Sequence, residues 1–202
     1  IVLIPVLVLL ILEGKILFNL FILILFSISV YEWHNLSKNK IYNIYGYLLI
    51  FFSFYSFYYL RNESELSFLF LILLICIFTD IGGYIFGKIL KGPKLTKISP
   101  KKTFSGVIGG YLLSIIFLNL VSNTNYFLIK PMDITLNFFI FILLISTVSQ
   151  LGDIIISLFK RLSKIKDTGK LIPGHGGLLD RIDGLLFAMP IAYVILNLII
   201  LK

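Results

Sequence analysis

Uncharged apolar runs dominate the chain, at roughly 16–33, 41–60, 66–87, 104–122, 134–156 and 182–201, with short polar segments between them. Each run is near the roughly 20 residues with which a helix crosses bilayer hydrocarbon, and a helix satisfies its own backbone where no water can. The pattern predicts six spans. A further apolar stretch, 1–12, is too short to cross as it stands; since the chain begins with Ile1 rather than Met, it reads as the end of a truncated first span. The expected architecture is an all-α polytopic integral membrane protein with about seven transmembrane helices in a single domain, 1–202. No basic leader and small-residue cleavage site flank an early apolar core, so no cleaved signal is expected.

Composition agrees with this pattern. At 58% hydrophobic residues and a mean hydropathy of +1.00, the chain has more apolar surface than one water-soluble core buries. The net charge of +8 would suggest nucleic acid in a soluble protein. Here Lys and Arg divide by loop instead: 34–40 holds two, 88–103 six and 157–183 six, while 13–15, 61–65, 123–133 and the C-terminus hold one each. That alternation is the positive-inside pattern, and it places the three basic loops on the cytoplasmic side, where anionic lipid and nucleotides are met. Cys76 is the only cysteine, so no disulfide or thiolate metal cluster is expected and it reads as packing. Trp33 and His34, beside Glu32 at the end of a span, read as an interfacial belt.

Polar residues gather in three places. Asp80 lies within LFLILLICIFTDIGGYIFG, where a carboxylate facing lipid is costly, so it should face the protein interior or a cavity. The loop 87–106 spreads six lysines over turn-forming residues; Ser99, Lys101, Lys102 and Thr103 are its most phosphate-suited members. In the third region, Asp153 and Ser157 share a helix face by their spacing of four, and Asp180 and Asp183 do so by their spacing of three. Asp153, Asp180 and Asp183 are hard oxygen donors suited to Mg²⁺, with a second metal ion left open. An alternative for Asp180 and Asp183 is favourable charge at a helix N-terminus. Between them PGHGG, with Gly174, Gly176 and Gly177, offers backbone amides to an anion, with Lys160, Arg161, Lys164 and Lys166 before it and Arg181 after it. His175 could donate a hydrogen bond to a phosphate oxygen, and Asp167 could pair with a nearby lysine.

The run from Ser157 to Asp183 reads S-x-F-K-R, four residues, K-D-x-G, two residues, I-P-x-H-G-G-L-x-D-R-I-D, and it resembles the signature of phosphatidate cytidylyltransferases, also called CDP-diacylglycerol synthases. TDIGGYIFGK resembles that family's Asp-Ser/Thr-Gly-Ala-Tyr segment, SPKKTFSG its SPKKT-x-E-G loop, and YEW at Tyr31 to Trp33 is also similar. Ile81, Gly83 and Ser105 depart from the pattern. The resemblance implies a catalytic part mainly within 78–202, phosphatidate and CTP as substrates, a homodimer and a bacterial inner-membrane location with the site at the cytoplasmic face. In the implied reaction a phosphatidate oxygen attacks the α-phosphorus of CTP, Lys160, Arg161 and Arg181 clamp phosphates, and Lys101 and Lys102 close from the other loop. Two alternative readings are a CTP-dependent kinase of a polyprenol-like alcohol and an ion-coupled transporter using Asp80 and Asp153.

Overall fold

A computed structural model describes the chain except for residues 1–2, 14, 39, 41, 65, 97, 100–101, 123–135, 170, 172–175 and 201–202. Seven helices follow one another: α1 (Leu3–Glu13), α2 (Lys15–Ser37), α3 (Asn43–Asn62), α4 (Leu66–Leu90), α5 (Phe104–Ser122), α6 (Leu136–Leu162) and α7 (Leu179–Ile200). Among the described residues there is no strand, only an isolated antiparallel bridge between Lys94 and Thr103. Four helices, α2, α4, α5 and α6, are long and apolar enough to cross a membrane by length and composition. The 20-residue α3 carries five tyrosines and Arg61, and the 22-residue α7 opens on Asp180, Arg181 and Asp183. The protein is an all-α polytopic membrane protein.

Central in the bundle is α4, whose Leu69, Leu71, Ile72 and Ile75 are almost fully enclosed and pack with Phe18, Ile142, Ile145, Ala188 and Ala192 from other helices. Cys76 is buried there as a free thiol, in accord with a packing role. Side-chain-free contact joins α4 to α5. A Cβ on Gly82 would fall 2.4 Å from the Gly109 carbonyl oxygen, and one on Gly110 would fall 2.9 Å from that of Thr79. Glycines at these positions let the two backbones touch.

A smaller core closes the end of the bundle at which α2, α4 and α6 finish and α3, α5 and α7 begin, hereafter the polar end. It contains Trp33, Leu36, Ile50, Ile156, Leu179 and Leu186. Trp33, expected in an interfacial belt from its place at the end of an apolar run, is enclosed by protein. It is 1% exposed, its Nε1 donates to the Asn43 carbonyl at 2.9 Å, and Gly46 leaves the room that its ring occupies. Ser53 of α3 donates to the Leu186 carbonyl of α7 across the same core.

Helix ends at the polar end are set by local chemistry. At the start of α5, Thr103 Oγ1 accepts from the Gly106 amide at 3.1 Å, an N-cap that satisfies one of the helix's free donors. After α6 the Ile165 amide donates to the Lys160 carbonyl and the Lys164 amide to that of Arg161, both at 3.0 Å, with Lys164 at φ 58°. This is a Schellman turn with lysine where glycine is favoured.

Candidate active site

Parts of α4, the α4–α5 loop, α5, α6 and α7 line an open cavity of about 420 Å³ at the polar end. From α4 come Thr79 and Asp80, from the loop into α5 come Ser99, Lys102 and Thr103, from α6 come Gln150, Asp153 and Lys160, and from α7 come Asp180, Arg181 and Asp183. Asp153 and Lys160 are seven residues apart on α6, hence on one face, and Asp180 and Asp183 are three apart on α7. Nine residues that the sequence nominated thus meet in one cavity: Asp80, Ser99, Lys102, Thr103, Asp153, Lys160, Asp180, Arg181 and Asp183.

The loop carrying Lys102 is held by short antiparallel pairing. The Leu95 amide donates to the Lys102 carbonyl at 2.8 Å and the Phe104 amide to that of Pro93 at 3.1 Å. So braced, Lys102 extends Nζ to 2.5 Å from Asp153 Oδ2 and 3.3 Å from the Gln150 carbonyl. Thr103, besides capping α5, lies 2.9 Å from Ser105 Oγ, so the serine at the position where the family pattern has Glu joins the cap.

The carboxylates form two sets. In the first, Asp183 faces Asp153 at side-chain hydrogen-bonding range and Asp80 is within electrostatic reach of both, with Lys102 beside them. In the second, Asp180 is fully engaged. Its Oδ1 accepts from Lys160 Nζ at 2.7 Å, and its Oδ2 from the Thr168 amide at 2.8 Å and the Gly177 amide at 3.0 Å, with Thr168 Oγ1 3.1 Å away. The side chains of this ion pair are 13% and 7% exposed. An ion pair so enclosed needs its extra hydrogen bonds to offset desolvation.

Facing carboxylates in the first set repel one another, and a divalent cation between them would relieve that repulsion. Mg²⁺ commonly takes one or two carboxylates and leaves other positions to water and substrate phosphates. Among the described residues no group of three acidic, His or Cys side chains could hold a metal ion, and Asp180, expected as a third donor beside Asp153 and Asp183, is taken up by Lys160, Thr168 and Gly177; Asp153 and Asp183 fit a cation shared with substrate phosphates.

The other nominated residues lie elsewhere. Ser157 Oγ is 3.5 Å from Asp153 Oδ1, at the outer limit of a hydrogen bond. Arg161, Lys166 and Asp167 are exposed, outside the cavity lining. The Gly177 amide is turned to Asp180, and Gly176, at φ 86°, packs beside Asp167. Lys101, Gly174 and His175 lie outside the described residues.

Two polar residues were given no site role by the sequence. Thr168 and Glu32 are both buried, and Glu32 accepts from the Leu178 and Leu179 amides and from Thr168 Oγ1. A lone Glu near the end of an apolar run, inside YEW, was the available signal.

Comparison with known proteins agrees with the geometry. The sequence profile of the "Cytidylyltransferase family" matches residues 41–199. The chain is 39% identical over 146 residues to a phosphatidate cytidylyltransferase of Staphylococcus epidermidis, covering 69% of this chain and 52% of that protein. It is 36% identical over 146 residues to phosphatidate cytidylyltransferases of Staphylococcus haemolyticus and Staphylococcus aureus, covering 70% of this chain and 54% of each. The chain thus spans about half the length of the curated relatives it matches. On the match over 41–199 and these identities, the chain belongs to the cytidylyltransferase family.

Proposed function

We propose that the protein transfers a cytidylyl group from CTP to phosphatidate, giving CDP-diacylglycerol and pyrophosphate. The observation that carries this reading is the single cavity in which Asp80, Asp153 and Asp183 meet Lys102, Lys160 and Arg181 at one end of a membrane bundle. Such a place suits a reaction between a lipid phosphate at the bilayer surface and a nucleotide from the aqueous phase. The basic loops and the bacterial relatives support an inner-membrane protein with this end in the cytoplasm.

In the step, a phosphatidate phosphate oxygen forms a bond to the α-phosphorus of CTP while the bond from that phosphorus to the β-phosphate oxygen breaks. Pyrophosphate leaves with the electron pair. The attacking monoester is already anionic near neutral pH, with a second pKa of about 6, so a strong base is not required. Neutralisation and alignment of phosphates become the main tasks. Lys102, Lys160 and Arg181 supply positive charge around the cavity. Asp153 and Asp183 would hold Mg²⁺, with Asp80 beside them, and the ion when bound would polarise phosphate oxygens and steady the leaving pyrophosphate. Asp180 keeps Lys160 in place and anchors the loop before α7.

The test uses purified protein, phosphatidate-containing vesicles, Mg²⁺ and CTP labelled at either the α- or the γ-phosphorus. The expected result is lipid labelled from the α position, with γ label released as pyrophosphate. Lipid labelled from the γ position would make the protein a kinase, and folded protein that labels lipid from neither would reject a transferase.

A further inference from the structure

Glu32 is 2% exposed, near the polar end of α2, and its carboxylate is enclosed by a segment some 140 positions away. Oε1 accepts from the Leu178 amide at 2.8 Å; Oε2 accepts from the Leu179 amide at 2.9 Å and from Thr168 Oγ1 at 2.8 Å. The fit leaves no slack. A Cβ on Gly177 would come within 2.5 Å of Oε2, and one on Gly169 within 2.6 Å of Oε1.

Two consequences follow from the partners. Leu178 and Leu179 lead into α7, whose first amides have no intrahelical acceptor, so Glu32 satisfies them with an anion at the positive end of the helix. Asp183 stands one turn beyond Leu179, about 6 Å along the axis and nearly on the same side. Holding the Leu179 amide therefore holds the rotation and depth of Asp183. Thr168 Oγ1 also lies 3.1 Å from Asp180 Oδ2, and Asp180 binds Lys160, so a continuous polar chain runs from α2 through the loop to α6.

We propose that Glu32 is a positioning residue: it fixes the start of α7 from outside the cavity, and so sets Asp183 opposite Asp153. The assignment rests on the cytidylyl-transfer reading of that cavity. Exchanging the carboxylate for an amide sets an NH₂ group against donors, which loosens the start of α7 without altering any group that lines the cavity.

The experiment compares Glu32→Gln with Leu36→Ala in detergent-purified full chain. Leu36, one turn further along α2, is 3% exposed in the same small core, so its truncation is a matched loss of packing. In Glu32→Gln, amide hydrogen exchange over 177–179 should accelerate at least tenfold, kcat should fall at least tenfold with the KM for CTP within threefold, and half-maximal Mg²⁺ should rise at least threefold. Leu36→Ala should lower the melting temperature yet keep kcat and the Mg²⁺ requirement within twofold of the unaltered protein. Unchanged exchange over 177–179, or the same kcat and Mg²⁺ shifts in Leu36→Ala, would overturn the assignment. Should Glu32→Gln not fold, Thr168→Val, which removes one of the three donors, must show the same exchange change at smaller size or the assignment fails. If the unaltered protein makes no labelled lipid, the transferase reading falls on its own, and the exchange comparison still decides whether Glu32 holds this segment.

Discussion

Lys102 reaches from the α4–α5 loop to within 2.5 Å of Asp153 on α6, and both side chains line the cavity. The side chains are 22% and 34% exposed, so the pair is neither fully screened nor fully enclosed. Its removal would leave the acidic set without its adjacent cation. Lys102→Ala is expected to lower kcat/KM for CTP roughly tenfold to a hundredfold, equivalent to about 1.4–2.7 kcal/mol. Steady-state kinetics at saturating phosphatidate checks this, and kcat/KM within twofold would remove Lys102 from the reaction.

Asp180 and Asp183 should respond differently to the same substitution. Asp183→Asn should leave a folded, inserted protein with turnover reduced by about a thousandfold or more, the scale seen when a charge-stabilising group is lost. Asp180→Asn should destabilise by about 3 kcal/mol, because it leaves Lys160 in an enclosed place without its counter-charge. Paired measurement of turnover and of denaturant or thermal unfolding separates the two. Equal stability loss in both variants would contradict the division of the carboxylates into two sets.

The α4–α5 seam makes a steric prediction. Gly82→Ala would push a methyl group into the Gly109 carbonyl, a backbone atom that cannot rotate away, and should cost about 1–3 kcal/mol. Gly83→Ala should be tolerated, since a Cβ there meets only the Gly106 carbonyl oxygen at 3.7 Å. Position 83 therefore has room for the Ala of the family pattern. Thermal unfolding of the two variants decides it, and equal midpoints would show that the helices separate freely.

Lys164 ends α6 in a left-handed conformation that costs a side-chain-bearing residue about 1 kcal/mol. Its side chain is exposed and lies outside the cavity lining. Lys164→Gly should therefore stabilise the protein by up to about 1 kcal/mol, less the greater chain entropy of glycine, and leave the KM for CTP within twofold. A large rise in KM would instead assign Lys164 to nucleotide binding.

The apolar runs were good guides to where helices lie: the run at 41–60 became α3 (Asn43–Asn62) and that at 104–122 became α5 (Phe104–Ser122). They were poor guides to where helices stop. Hydropathy fades near 156, but α6 continues to Leu162, because backbone hydrogen bonding carries a helix past the apolar region until the turn at Lys164 ends it. Spacing placed Asp180 and Asp183 together, yet it could not say that Lys160, Thr168 and Gly177 would occupy one of them and leave the other to face Asp153. The partners of Glu32 were likewise beyond reach of local pattern, since all three lie more than 130 positions away.

Glu32 also bears on where the support of the cavity begins. The family match starts at residue 41, after α2 has ended, whereas the carboxylate that holds the start of α7 sits within α2. A boundary drawn at the edge of sequence similarity would cut through the hydrogen-bonded shell of the cavity. A fragment made to that boundary would keep every residue lining the cavity and lose the carboxylate that holds the start of α7 behind them. Keeping that shell whole requires α2 as well as the matched region.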